Sequence, residues 1–128
     1  MKEVITNNGR FNITEELYES IVSNNPELLT LSCGGNPLGS LDVNNNTKLE
    51  ELFCTSNQLT VLNLNNNTLL KRLGCSNNLL SSLDISNCPL LKEVSCYNNP
   101  YLTEIWLKAG QEIGWFQYDS SVATIYYK

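Results

Sequence analysis

Residues 49–69 read LEELFCTSNQLTVLNLNNNTL, and residues 70–90 repeat that pattern slot for slot as LKRLGCSNNLLSSLDISNCPL. Cys54 and Cys75 are 21 residues apart, and the same step in either direction lands on Cys33 and Cys96. Other slots keep the interval: Leu28, Leu49, Leu70 and Leu91; Leu31, Leu52, Leu73 and Val94; Asn36, Asn57, Asn78 and Asn99; Leu38, Leu59 and Leu80. Each unit reads L-x-x-L-x-C-x-x-N-x-L and is followed by a second half of similar grammar, Leu38-x-x-Leu41-x-Val43, Leu59-x-x-Leu62-x-Leu64 and Leu80-x-x-Leu83-x-Ile85. The fourth unit carries one extra residue, so Leu102, Ile105 and Leu107 fall 22 residues past their third-unit counterparts. A strict period of this length marks a repeat architecture.

The alternation Leu31-x-Cys33 puts two side chains on one face of a short strand and the residue between them on the other. One such strand cannot bury its apolar face alone. Units stacked at the roughly 4.8 Å spacing of a parallel sheet align each Leu with its counterparts and build a continuous core. The second half returns along the opposite wall. Gly34-Gly35, Asn44-Asn45-Asn46, Asn65-Asn66-Asn67 and Ser86-Asn87 supply the corners, because Gly and Asn tolerate left-handed backbone. The expected fold is mainly β: a right-handed solenoid with a parallel sheet and a coil of ~21 residues.

The motif resembles that of the leucine-rich repeat family, with Cys in the third Leu slot. The resemblance covers residues 28–107, and the short unit with an L-D-[VI]-[NS]-N second half is similar to bacterial internalin-like repeats. It implies that the sheet is a concave wall and that this wall is the binding face.

Terminal coils need caps. The stretch from Asn12 to Ser23 reads as an amphipathic helix with Thr14 as N-cap and Leu17, Tyr18, Ile21 and Val22 on one face, stopped by Asn24-Asn25-Pro26. Residues 1–27 are therefore expected to form a helical N-terminal cap. Residues 108–128, with Trp115, Phe116, Tyr118, Ile125, Tyr126 and Tyr127 around Asp119-Ser120-Ser121, read as two short capping strands over the last coil. The whole is one domain, as 128 residues allow. Trp106, outward on the second wall, is expected to pack under that cap.

Composition agrees with a repeat and excludes other classes. The chain holds 21 Leu and 19 Asn, has no histidine and carries a net charge of −5. Without histidine there is no Ser-His-Asp triad, no Cys-His pair and no His-ligated zinc. No catalytic residues and no cofactor are expected. The charge is spread without a basic stripe, which argues against nucleic acid and anionic membrane. No apolar run reaches the length of a membrane span. Five cysteines, an odd number, disfavour a disulfide scaffold. A cytosolic chain is expected if Met1 is the native start, and a secreted or cell-surface one if a leader has been removed. The expected state is a monomer.

The cysteine ladder cannot be a zinc site, since four thiolates in a line about 4.8 Å apart cannot converge on one ion. Cys33, Cys54, Cys75 and Cys96 are read as buried apolar side chains, and Cys88, off the ladder beside Pro89, as the accessible thiol. Asn36, Asn57, Asn78 and Asn99 are read as structural, their carboxamides bonding backbone within a coil and to the next. Asp42-Val43-Asn44-Asn45-Asn46 opens like a calcium loop but lacks the later Gly and Glu, so Asp42, Asn63 and Asp84 are solvated corners. The outward side of the first strand offers Thr30, Glu51, Arg72 and Glu93, then Ser32, Phe53, Gly74 and Ser95, then Gly34, Thr55, Ser76 and Tyr97. The candidate ligand-binding residues are Glu51, Phe53, Thr55, Arg72, Ser76, Glu93, Ser95 and Tyr97, with Phe53 and Tyr97 as exposed aromatics. The expected function is a non-catalytic module that binds a protein or peptide, or a glycan. The rival is a structural spacer of a larger bacterial surface protein.

Overall fold

The computed structural model describes residues 2–7, 9–13, 22, 24–36 and 38–128. Among the described residues there are ten strands: β1 (Lys2–Thr6), β2 (Gly9–Ile13), β3 (Thr30–Ser32), β4 (Glu51–Phe53), β5 (Arg72–Gly74), β6 (Ser82–Asp84), β7 (Glu93–Ser95), β8 (Glu104–Leu107), β9 (Trp115–Gln117) and β10 (Thr124–Tyr127). They form a seven-stranded sheet ordered β2-β1-β3-β4-β5-β7-β9 and a three-stranded sheet ordered β10-β8-β6. From β3 to β9 every pairing of the large sheet is parallel, and Leu31, Leu52, Leu73, Val94 and Phe116 lie in register. The chain is a β-solenoid of five coils.

The period places each coil because burial does. Leu28, Leu49, Leu70 and Leu91, the in-register Leu31, Leu52, Leu73 and Val94, and the four ladder cysteines all lie in one core. Leu41, Leu62, Leu83 and Ile105 close it from the other wall, with Val43, Leu64, Ile85 and Leu107. On that wall strands form only at β6, β8 and β10. Between the earlier coils the ties are single bonds, Gly39 N–H to Asn57 O at 3.0 Å and Leu79 N–H to Leu59 O at 2.8 Å, followed by asparagine side chains at the corner.

Two side-chain ladders hold successive coils together. In the first, the Asn78 amide donates to the carbonyls of Cys75 in its own coil and Cys54 in the preceding one, at 3.0 and 3.1 Å. Its carbonyl oxygen accepts the N–H groups of Asn57 and Leu59, both at 3.0 Å. Asn57 and Asn99 make the same two donations, and each accepts one N–H, that of Asn36 and of Leu80 respectively. All four ladder asparagines are buried, so backbone groups freed at the turn are paired inside the molecule. The second ladder runs through Asn46, Asn67 and Cys88. Asn46 donates to Val22 O and Asn25 O, and Asn67 to Val43 O and Asn46 O. The Cys88 thiol takes the same place toward Asn67 O at 3.3 Å and Leu64 O at 3.7 Å. Cys88 is therefore buried, not the accessible thiol expected: its slot is an inward one.

The corners follow a rule of their own. Gly35, Ser56, Asn77 and Asn98, each 21 residues on, have φ of 75°, 61°, 57° and 54°. Glycine and asparagine suit this left-handed turn, whereas Ser56 sits there at a cost. At the opposite corner Asp42 and Asn63 each accept a backbone N–H two residues on, and Asp84 accepts both the N–H and the hydroxyl of Ser86; Asp119 does the same for Ser121 at the turn that follows β9. These residues are turn-forming caps, which is more than the solvated role expected of Asp42, Asn63 and Asp84.

Both ends depart from expectation. Asn12 and Ile13, expected to open a helix, instead end β2, which pairs with β1. β1 joins the first coil antiparallel through Ile5 with Ser32 and Thr6 with Leu31. A hairpin supplies β3 with the backbone partner that its outer edge needs. The expected helix over 14–21 and at 23 lies outside the described residues, while Val22 belongs to the core. At the other end the two expected strands exist, but they pair with the preceding coil and not with each other: β9 runs parallel to β7 and β10 parallel to β8. Ile113, Phe116, Tyr118 and Ile125 pack against the core as a fifth coil. Trp106 packs against this C-terminal segment, stacked on Tyr126 of β10 at 4.9 Å between ring centroids.

Candidate functional site

Alternation along β3, β4, β5, β7 and β9 sends every second side chain outward, and in-register pairing lines these up into rows across the sheet. The first row runs Thr30, Glu51, Arg72, Glu93 and Trp115. Arg72 bonds both neighbours, Glu93 Oε2 from Nε at 2.6 Å and Glu51 Oε2 from Nη1 at 2.9 Å, and these bonds push the guanidinium pKa further up. Exposed pairs of this kind contribute little to stability. They do hold the side chains in one arrangement. Thr30 extends the chain by donating its hydroxyl to Glu51 Oε1 at 3.3 Å.

The second row runs Ser32, Phe53, Gly74, Ser95 and Gln117. Gly74 is buried although it faces outward, because the Phe53 ring lies against it: a Cβ at this position would meet Phe53 Cδ1 at 3.0 Å. The Arg72 guanidinium covers the same ring at 5.4 Å from its centroid. Phe53 is thus half-buried, a correction to its expected role as an exposed aromatic. In the third row Ser76 is buried and its hydroxyl meets that of Ser95 at 2.7 Å.

A depression of about 260 Å³ opens beside this contact, lined by Gly74 with Phe53, Thr55, Arg72, Ser76, Glu93, Ser95, Tyr97 and Trp115 among others. Seven of the eight candidate residues line this one depression, and the eighth, Glu51, adjoins it through its ion pair with Arg72. Tyr97 and Trp115 stand open at its rim, 40% and 49% exposed. Trp115 is absent from the candidate rows because the sequence pattern places it in a capping strand. The signal was available: the 22-residue step already visible in the fourth unit carries Glu93 to Trp115 and Val94 to Phe116.

The core offers little chemistry. All five cysteines are buried thiols. Burial pushes Cys88 and Cys96 up to about 12 and holds Cys54 and Cys75 well above the ordinary thiol value, which suppresses the reactive thiolate. Among the described residues no three His, Cys, Asp or Glu side chains are grouped to hold a metal ion, and no helix is long and apolar enough to cross a membrane. Compared with protein-family models, with curated proteins and with solved structures, the chain matches none.

Proposed function

We propose that this chain is a non-catalytic interaction module that takes an extended protein or peptide segment on the outward face of its large sheet. The observation that carries this reading is the depression over Gly74. Seven candidate residues and Trp115 converge on it, with two large aromatics open at the rim. Exposed Trp and Tyr beside a desolvated notch are the composition that concentrates binding energy at protein interfaces. The repeat pattern supports the leucine-rich type of the bacterial internalin-like class, with this sheet as its concave wall.

The test is selection of a random-peptide library on the purified chain, followed by titration of enriched peptides against a Tyr97→Ala/Trp115→Ala variant whose folding is verified by circular dichroism. Losing both rim aromatics should weaken binding by about 30-fold or more, the consequence of removing hot-spot aromatics. Peptides that bind the variant as tightly as the parent overturn the assignment of the face. A library that yields no binder favours the rival reading, a spacer without a ligand site.

A further inference from the structure

The outward surface brings an aromatic ring next to a carboxylate in three places, and in two of them a cation completes the group. Arg72 covers Phe53 at 5.4 Å while bonding Glu51 and Glu93. On the smaller sheet, Lys128 Nζ lies 5.3 Å from the Trp106 ring centroid and 2.7 Å from Asp84 Oδ2. In each case the cation sits where the ring quadrupole and the carboxylate both attract it.

The third place is Trp115. It pairs directly with Glu93 across adjacent strands, so the two outward side chains spring from backbones about 4.8 Å apart. Trp115 is half exposed. Among the described residues neither a second ring nor a cation contacts it. Lys92, the neighbour of Glu93 in the chain, meets Trp115 through its backbone carbonyl, which accepts the Trp115 N–H at 3.0 Å. Arg72 occupies Oε2 of Glu93, and no described side chain bonds the other oxygen. Charge balance points the same way: the row has two carboxylates to one guanidinium, on a chain of net charge −5.

We propose that Trp115 and Glu93 form a cation subsite that receives an arginine or lysine side chain of the bound segment. The inference rests on the large sheet being the binding face and adds the chemistry of its partner. The incoming guanidinium or ammonium stacks on the indole and faces the Glu93 carboxylate, completing from outside the group that Arg72 and Lys128 complete from within. Arginine suits the place best, since its planar head stacks on a ring and bonds a carboxylate together.

The test is a titration of the ¹⁵N-labelled chain with N-acetyl-arginine amide and, separately, with its neutral isostere N-acetyl-citrulline amide. The two indole N–H signals of the chain are distinguished by the Trp115→Ala variant. The arginine compound should move the Trp115 indole signal saturably and leave Trp106 in place. It should bind about 3- to 30-fold more tightly than the citrulline compound, as one exposed ring contact and one exposed ion pair allow. Added salt should weaken it, and Trp115→Ala should abolish the saturable shifts along β7 and β9. Equal affinity for the two compounds, shifts that survive Trp115→Ala, or an unmoved Trp115 signal would each overturn the subsite. The citrulline compound moving this face as strongly as the arginine compound refutes the cation preference and leaves the binding face standing. Selected peptides indifferent to Tyr97 and Trp115 refute the face itself.

Discussion

Raising the pH from about 8 to about 10 places a load on the cysteine core that the structure makes calculable. Cys54, Cys75, Cys88 and Cys96 hold their protons in the folded chain because burial raises each pKa, Cys88 and Cys96 to about 12. In the unfolded chain the same thiols ionise from the ordinary value of 9.0. A raised folded pKa gives stability that is complete below the unfolded pKa and is lost as pH rises toward the folded one. At about pH 10 each unfolded thiol gains about 1.4 kcal/mol by ionising, and four give a loss of about 5 kcal/mol relative to pH 8. That is comparable to the whole stability of many domains of this size. Urea unfolding followed by circular dichroism, in reductant, at pH 8, 9 and 10 measures the loss. The Cys75→Ala variant isolates the thiol contribution: lower in stability throughout, it should lose about a quarter less across the same range. Stability that does not fall with pH, or a fall unchanged in Cys75→Ala, would refute the buried-thiol account.

The remaining expectations concern the ladders and the corners. Asn78→Ala leaves the N–H groups of Asn57 and Leu59 without their side-chain partner and takes one of two amide donors from each of the carbonyls of Cys54 and Cys75, and should cost about 2–4 kcal/mol in urea unfolding. Asn67→Ala should cost about 1 kcal/mol or less, because the buried Asn67 Oδ1 has no partner and its removal offsets part of the two lost donations. Equal losses at the two positions would contradict this division between the ladders. Ser56→Asn, which places at φ 61° the residue found at the matching position of the next two coils, should stabilise by about 0.5–1 kcal/mol; a lower melting temperature would show that the Ser56 hydroxyl contributes more than its backbone costs. An aromatic disulfide reagent should label none of the five buried thiols rapidly under native conditions and all five in denaturant. One fast thiol would mean that a corner opens.

Where the sequence could be read, the signal was periodic. The register of β3, β4, β5 and β7 follows directly from the 21-residue step, because a strand pairing shifted by one residue would set each inward leucine against an outward side chain. The inward asparagines were legible for the same reason, since a polar residue recurring in an apolar frame must be satisfied by backbone. The N-terminal hairpin is not legible in the sequence because the amphipathic spacing from Leu17 to Val22 is a stronger local signal than the short strand-like Phe11-Asn12-Ile13 before it. The fifth coil escaped because Phe116 and Tyr118 stand where earlier coils have Val94 and Cys96, so the match is one of volume and position, not of letter. Cys88 misled for the converse reason: a thiol, read by its letter, suggested reactivity, while its slot continued the row of Asn46 and Asn67.

The sequence by itself determined the coil, its period, the core it encloses and the outward rows of the large sheet, because stacking identical units leaves each slot only one face to occupy. It could not decide how those rows interact. That Phe53 folds down onto Gly74 under Arg72, that a depression lies beside it, and that Trp115 arrives next to Glu93 all depend on contacts between side chains about 20 residues apart. Such contacts depend on ring volumes and ion-pair geometry, which a repeat pattern does not encode, and it is there that the candidate site lies.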